Sequence, residues 1–193
     1  MSWSDAAVSD AVLADGATAD VDTDAQFAAF VRNHGELVYR VARQMMSSHE
    51  EADDVVQEAF LRAFRGLPGY RGAASIETWL YRIVMNVAQN TLRHRARRQK
   101  LAEAIRHHTV PLHHTARSPI PVEFDEARAQ VWAALNALSA EHRAVVVLFD
   151  LEGLSCQQVS TVLDIPEGTV RSRLYHGRRR MRTRLTPYFE HAH

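Results

Sequence analysis

The chain has 193 residues, of which 46% are hydrophobic, and a formal net charge of zero at pH 7. This length allows one large or two small domains, each with a core of its own. No stretch approaches 18 consecutive apolar residues, and the N-terminus lacks the basic and then apolar start of a signal peptide. We therefore expect no membrane insertion and no secretion. The single cysteine, Cys156, excludes an internal disulfide and suits a cytoplasmic protein.

Acidic and basic residues are separated into blocks along the chain. Residues 1–58 contain 12 acidic and 3 basic side chains, whereas residues 59–117 contain 2 and 11. Residues 118–170 contain 8 acidic and 2 basic side chains, and residues 171–193 contain 1 and 7. Two basic blocks between acidic ones predict two anion-binding surfaces and leave other faces for a protein partner.

The first segment, residues 1–25, is predicted to be a disordered acidic tail. Its first 24 residues include six aspartates and no basic residue, a composition that cannot bury enough apolar surface to fold. A helical hydrophobic period then begins at Gln26 and continues to Met45. Gly35 could interrupt this helix or divide it into two.

Ser48 and Glu51 form a capping-box pattern that predicts the start of a strongly amphipathic helix. Its predicted buried stripe is Ala52, Val55, Val56, Ala59, Phe60 and Ala63. Its opposite stripe is Asp54, Gln57, Glu58 and Leu61. From the pattern alone, this second stripe is either the solvated side of a bundle helix or a docking face for a partner helix.

A Gly- and Pro-containing turn at residues 66–69 ends that helix, and Ser75 is predicted to cap the next one. The outward face of this next helix carries Arg82, Asn86, Gln89, Asn90 and Arg93. Amides and arginines beside aromatic rings, here Tyr70 and Tyr81, are the residue types that bind exposed bases. A merely solvated helix face is the alternative.

Residues 99–124 are predicted to form a linker, because the helical period is lost there and three prolines and four closely spaced histidines accumulate. We assign no metal to these histidines, since no cysteine joins them and a flexible segment cannot preset ligand geometry. Two helices follow, over residues 124–138 and from the cap Ser139 to Leu151. Gly153 is predicted to terminate the second of them.

The segment Gly153–Leu185 has the pattern of a helix-turn-helix. A capping box of Ser155 and Gln158 starts a short helix, and Pro166 marks the turn. The second helix has one apolar stripe that includes Gly177, and we attribute this glycine to close approach of a neighbouring helix. Its other faces carry seven arginines, which predict duplex DNA binding, although a solvated basic face would have the same composition.

Two segments of this chain resemble a known family. DDVVQEAFLRAF at 53–64 and TWLYRIVMN at 78–86 resemble the second conserved region of extracytoplasmic-function (ECF) sigma factors of bacterial RNA polymerase. LSAEHR, LEGLSCQQVS and EGTVRSRLYHGRRR, up to residue 180, resemble their fourth region. The resemblance implies an all-α fold of two small helical domains, at 26–98 and 125–187, joined by a flexible linker.

The resemblance also implies roles for particular residues. Core polymerase would be bound by the stripe of Asp54, Gln57, Glu58 and Leu61. The melted minus-ten element would be bound by Arg71, Ser75, Arg82, Asn86, Asn90 and Arg93. The duplex minus-thirty-five element would be bound by Arg171, Ser172, Arg173, Tyr175, His176 and Arg179.

A sigma factor would have core polymerase as its partner, through the clamp helices of the largest subunit and the flap of the second largest. Promoter DNA would be its ligand, and an anti-sigma factor could antagonise it. The resemblance implies no catalytic residue and no cofactor. An autonomous helix-turn-helix repressor or activator is the alternative, and a DNA recombinase is a weaker one, because residues 26–98 have the pattern of helices only.

Overall fold

The structure, a computed structural model, describes residues 18–106 and 125–191. Within these two ranges every regular element is helical, which confirms the all-α prediction. The α-helices are α1 (Thr18–Met45), α2 (His49–Gly66), α3 (Ile76–Arg106), α4 (Asp125–Asn136), α5 (Ala140–Val146), α6 (Cys156–Leu163) and α7 (Glu167–His191). A 3₁₀ turn, Leu67–Gly69, follows α2, and a π-helical segment, Val147–Leu151, continues α5.

The chain divides into two compact units, of which the first ends at Glu36 and includes the beginning of α1. In this first unit the rings of Phe27 and Phe30 stack at 5.9 Å, and His34 lies 4.8 Å from Phe30. Helix α1 continues through Gly35 without a break.

The second unit begins at Leu37 and contains α2 to α7 with the hydrophobic core. Helix α2 packs on α3, and α7 packs on α4, α5 and α6. Helix α3 in turn contacts α5 and α6, so the helices of the two predicted domains lie against each other. The core side chains of α2 are those predicted, except that two of them, Val56 and Phe60, are only half-buried. The fully buried ones are Ala52, Val55, Ala59 and Ala63.

Two helices extend beyond the boundaries that the sequence pattern suggests. Helix α1 begins at Thr18, inside the predicted tail, and α3 continues to Arg106, inside the predicted linker. Neither stretch contains the proline or glycine that would stop a helix. The hydrophobic period is therefore lost where each helix stops packing against the core, although the helix itself continues. The histidine-rich part of the linker lies outside the described residues.

The two predicted capping boxes have different outcomes. At Ser155 both hydrogen bonds of the box are present, since Gln158 N donates to the hydroxyl at 3.2 Å and Gln158 Oε1 accepts from Ser155 N at 2.9 Å. At Ser48 only the hydroxyl bond to Glu51 N forms, at 3.2 Å. The Glu51 carboxylate instead accepts from Arg95 Nη1 at 2.9 and 3.0 Å. An arginine on α3, distant in sequence, has displaced the local contact and ties α2 to α3.

Arg143 is a buried charged residue that joins three helices. From α5 it donates to the carbonyls of Leu135 at 3.1 Å and Asn136 at 2.6 Å, at the end of α4. It also donates to the carbonyl of Met45 at 2.5 Å, at the end of α1. Because the last carbonyls of a helix lack intrahelical partners, one planar guanidinium satisfies three of them.

Gly177 occupies the closest approach between α7 and α5. A Cβ atom built at this position would lie 2.9 Å from Val146 Cγ2 and 3.6 Å from the carbonyl oxygen of His142. Val146 is itself buried and β-branched, so its side chain has little freedom to move. The structure thus confirms that this glycine serves close helix packing.

We expect Gly177→Ala to lower the free energy of unfolding by about 1 kcal/mol. The overpacking cost of about 1–3 kcal/mol exceeds the gain in helix propensity of about 1 kcal/mol. Gly168→Ala on the same helix is the control, because nothing lies within 4 Å of its added Cβ, and it should be neutral or stabilising. Urea unfolding followed by circular dichroism measures both. Equal stability of the two variants would contradict the packing argument.

Candidate nucleic-acid and protein interfaces

The helix-turn-helix is built as its sequence predicts. Helix α6 ends at Leu163, and Asp164 adopts a left-handed conformation with φ 53°, which aspartate tolerates better than most residues. Pro166 directly precedes α7, and its carbonyl accepts from Thr169 N at 2.9 Å and Val170 N at 3.1 Å. Val170 and Leu174 are buried on the inner side of α7, which turns the basic face outward.

The six candidate residues on α7 differ in how available they are. Arg171 pairs with Glu167 at 2.9 Å but its side chain stays 68% exposed. Arg173 reaches Glu141 on α5 at 2.7 Å and is only 26% exposed. The other four candidates also lie exposed, and the Ser172 hydroxyl among them donates to the carbonyl of Thr169 at 3.0 Å. These four are Ser172, Tyr175, His176 and Arg179.

Two contacts of α7 were not expected from the sequence. Arg178 donates to both carboxylate oxygens of Asp150, with an Nε bond of 3.0 Å, and its guanidinium lies 5.1 Å from the ring centre of Phe149. Arg178 therefore holds α7 to the π-helical segment. A run of arginines in a sequence does not show which of them will pair with an acidic residue of another helix. The sequence therefore could not distinguish Arg178 from its neighbours.

The electrostatic field of α7 acts on a neighbouring histidine. Burial lowers the pKa of His142, on α5, and the positive charges of Arg180, Arg173 and His176 lower it further. The His142 and His176 rings meet edge to face at 6.4 Å. Burial is the main cause of this lowered pKa, and the arginines of α7 add a smaller contribution of positive potential, which favours phosphate.

The candidate minus-ten residues lie at the start and along the outer face of α3. Arg71 lies exposed in the loop before α3. Ser75 caps the helix, because its hydroxyl accepts from Thr78 N at 3.2 Å. Asn86 is exposed, whereas Asn90 is half-buried and accepts from Arg93 Nη2 at 2.8 Å.

Arg82, another candidate on this face, makes a hydrogen bond to a residue of a different helix. Its Nη2 donates to the carbonyl oxygen of Thr161, on α6, at 2.7 Å. The predicted minus-ten face is therefore in contact with the helix-turn-helix. No sequence pattern on either helix predicted this contact.

The two aromatic residues expected beside this face have structural partners. The Tyr70 hydroxyl donates to the carbonyl of Ala74 at 2.5 Å, and its ring packs 5.4 Å from Trp79. Tyr81 is buried, and its hydroxyl donates to Glu152 at 2.8 Å. These contacts engage the half-buried Tyr70 in the loop before α3 and the buried Tyr81 in the core.

The predicted docking stripe of α2 is present on the surface. Asp54, Gln57 and Leu61 are exposed, and Glu58 pairs with Arg62 at 2.8 Å one turn away. Phe64 is also exposed and lies three residues after Leu61 on the same side of the helix. Phe64 was not predicted to belong to this stripe, although its i+3 spacing from Leu61 places it on the same side of the helix.

The carboxylate of Glu152 accepts hydrogen bonds from residues of two other helices, α1 and α3. Arg40, on α1, donates to it through Nε at 2.9 and 3.2 Å and through Nη2 at 2.8 Å. Burial by itself would raise the pKa of Glu152, but hydrogen bonds from Arg40 and Tyr81 outweigh it and hold this pKa below its ordinary value. Burial, followed by the bond to Glu152, raises the pKa of Tyr81 to about 12.

The residues that the structure describes include no helix long and apolar enough to cross a membrane. They also include no cluster of three or more potential metal ligands of the His, Cys, Asp or Glu type.

Two family models match this chain. Sigma-70 region 2 matches residues 30–98 and Sigma-70 region 4 matches residues 128–181. Among solved structures, the sigma factor RpoE from Bartonella quintana, in complex with the anti-sigma factor NepR, aligns with a TM-score of 0.66 and 23% identity. This alignment covers 83% of this chain and 97% of that one. CnrH, in complex with the cytosolic domain of CnrY, aligns with a TM-score of 0.60 and 24% identity, covering 89% and 94%.

Three relatives are similar in sequence over most of this chain. The ECF RNA polymerase sigma factor SigE of Mycolicibacterium smegmatis is 35% identical over 175 residues, which are 89% of this chain and 66% of the relative. The RNA polymerase sigma-H factor of Pseudomonas aeruginosa is 34% identical, with 74% and 77% covered. The ECF RNA polymerase sigma-E factor of Escherichia coli K12 is 32% identical, with 81% and 84% covered.

The lowered pKa of Glu152 predicts how stability depends on pH. A carboxyl with a depressed folded-state pKa stabilises the folded chain above its ordinary pKa of 4.5. This contribution is lost as the pH falls through the lower folded-state value. Between about pH 5 and about pH 3, the free energy of unfolding should therefore fall more steeply for the wild type than for Glu152→Gln.

Urea titrations at several pH values measure this difference. The other carboxylates titrate in both proteins and cancel in the comparison. Parallel pH profiles would contradict the role assigned to the Glu152 charge.

Proposed function

The chain belongs to the ECF subfamily of sigma-70-type RNA polymerase sigma factors, and we propose that it binds core RNA polymerase, directs it to specific promoters and helps to melt their minus-ten element. The observation that carries this proposal is the exposed stripe of α2. Asp54, Gln57 and Leu61 face outward while the opposite side of the helix is buried. An exposed leucine framed by acids and an amide suits the helical partner surface that the resemblance implies, the clamp helices of the largest subunit.

Promoter melting needs no chemical step in this scheme. A protein that binds an unstacked strand better than the duplex shifts the equilibrium toward the melted state. Flipping a base out of the stack costs a few kcal/mol, which contacts to its edges can offset. We propose that the exposed amide of Asn86 and the half-buried amide of Asn90 make such contacts, and that the exposed Arg71 binds a phosphate. We assign this chain no catalytic residue and no cofactor.

Helix α7 is proposed to bind the minus-thirty-five element in the major groove. Its exposed residues combine a phenol, an imidazole and guanidinium groups, which are suited to both base edges and phosphates. Region 4 is also proposed to contact the flap of the second-largest subunit. A protein that acts on polymerase and promoter DNA works in the bacterial cytoplasm, as the sequence predicts.

We further propose an anti-sigma factor as an antagonist of this chain. The sigma factor RpoE from Bartonella quintana, whose fold this chain shares, is in complex with the anti-sigma factor NepR, and CnrH, with the same fold, is in complex with the cytosolic domain of CnrY. An autonomous repressor or a recombinase is not favoured, because family models for both sigma regions match in the expected order.

Run-off transcription with purified core polymerase tests the proposal. The wild-type chain should produce promoter-specific transcripts, and Glu58→Arg should reduce them at least tenfold because it reverses charge within the docking stripe. Glu126→Arg makes the same charge change at an exposed position of α4 and should behave as wild type. Initiation that is the same with and without the wild-type chain would overturn the proposal. Unaltered activity of Glu58→Arg would overturn the docking assignment.

The exposures on α7 predict unequal effects of two arginines. Arg171→Ala should weaken binding to a duplex selected by the wild-type holoenzyme by about 1–3 kcal/mol if it reads a base, or reduce the salt slope by about one unit if it holds a phosphate. Arg173→Ala should have a smaller effect, because its guanidinium is already paired with Glu141.

Fluorescence anisotropy of the holoenzyme at several salt concentrations measures both variants. Arg65→Ala, which removes the same charge from an exposed position of α2, is the control. A larger loss for Arg173→Ala than for Arg171→Ala would contradict this assignment.

A further inference from the structure

We propose that Glu141, in the first turn of α5, is a positioning residue for Arg173 and makes DNA binding by α7 more selective for sequence. Its carboxylate holds the Arg173 guanidinium beside α5, so that this cation is not free to bind the phosphates of every duplex that the protein meets. The inference rests on the proposed function, because α7 is the helix proposed to bind the minus-thirty-five element.

The first turn of α5 lies at the closest approach between α5 and α7. A Cβ atom built at Gly177 would lie 3.7 Å from His142 Cβ. The rings of His142 and His176 meet edge to face at 6.4 Å, and Ser139 Oγ lies 2.6 Å from His142 Nδ1. These contacts hold the first turn of α5 against α7, and they place the neighbouring residue Glu141 beside that helix.

Arg173 lies one helical turn before Gly177, on the side of α7 that faces this turn of α5. Its Nη2 atom lies 2.7 Å from Glu141 Oε2, and its side chain is 26% exposed. Arg171 also has a carboxylate partner, Glu167 at 2.9 Å, yet its side chain is 68% exposed. Glu167 belongs to α7 itself, whereas Glu141 draws Arg173 towards a different helix. Arg173 is therefore the more constrained of the two arginines.

The ion pair of Glu141 and Arg173 contributes little to the stability of the fold. The Glu141 side chain is 61% exposed, so water competes for its charge. Exposed ion pairs are screened by solvent and salt, and many of them have no measurable effect on folding. Loss of the Glu141 charge should therefore leave the protein folded, and its effect should be found in the binding of DNA.

The carboxylate of Glu141 acts differently on the two kinds of contact that an arginine makes with DNA. A phosphate that approaches Arg173 also approaches this carboxylate, and the two negative charges repel each other. A base edge carries no net charge and is not repelled in this way. Because a guanidinium has several N–H donors, the contact through Nη2 leaves others for a base. The pair thus opposes sequence-independent contacts to the backbone and permits base readout.

The experiment measures how full-length variants bind two duplexes, by fluorescence anisotropy at several salt concentrations. A random-sequence duplex is titrated with the chain alone, and a duplex selected by the wild-type holoenzyme is titrated with the holoenzyme. Glu141→Gln removes the charge and keeps the shape of the side chain. Glu126→Gln is the matched control, because Glu126 is the second residue of α4, as Glu141 is of α5, and is also exposed.

We expect Glu141→Gln to bind the random-sequence duplex about fivefold more tightly at about 0.1 M salt, because the released Arg173 gains a phosphate contact. The salt slope should become steeper by about one unit for the same reason. The affinity of the holoenzyme for the selected duplex should not rise, so selectivity falls about fivefold. In an Arg173→Ala background, Glu141→Gln should change binding no more than Glu126→Gln does.

The inference is wrong if Glu141→Gln binds the random-sequence duplex with wild-type affinity and salt slope. An equal gain in Glu126→Gln, or in the Arg173→Ala background, would also overturn it, because net charge and not the pair would then explain the gain. Equal tightening on both duplexes would overturn the role in selectivity. The titrations of the chain alone need no polymerase, so a holoenzyme that initiates like core polymerase would refute the proposed function separately.

Discussion

A buried cation joins three helices of the second unit. Arg143 lies where the ends of α1 and α4 meet α5, and all three of its described acceptors are main-chain carbonyls. The C-terminal end of a helix carries partial negative charge, so the guanidinium is held without a carboxylate partner. Burial lowers its pKa to about 10, which leaves it charged at neutral pH.

The arginines of this chain fall into two groups. Those of one group pair with an acidic residue of another helix, and those of the other group lie exposed on the surface. Arg95 and Arg178 bind carboxylates from other helices and join elements of the fold. Arg71 and Arg179 lie exposed on the surfaces proposed for DNA. Arg82 has a feature of each group, since it lies exposed on the proposed DNA face and yet donates to a residue of α6.

Helix α3 meets α5 and α6 through helix packing and through hydrogen bonds of its side chains. Glu152 accepts from both Arg40 and Tyr81, so it ties the end of the π-helical segment to α1 and α3. The surface proposed for docking on polymerase, the outer stripe of α2, takes no part in these contacts.

The sequence by itself determined the helices, their caps at Ser48 and Ser155, the terminating Gly153, the packing role of Gly177 and the family. These features depend on local geometry and on periodicity, which a linear pattern records directly. The tertiary structure alone decided that Glu51 bonds Arg95 in place of its own helix end, that Arg173 pairs with Glu141, and that Tyr81 and Arg82 face the helix-turn-helix. Each of these contacts joins residues of different helices, most of them far apart in the chain. The choice among many arginines and acids depends on distances that exist only after the helices have packed.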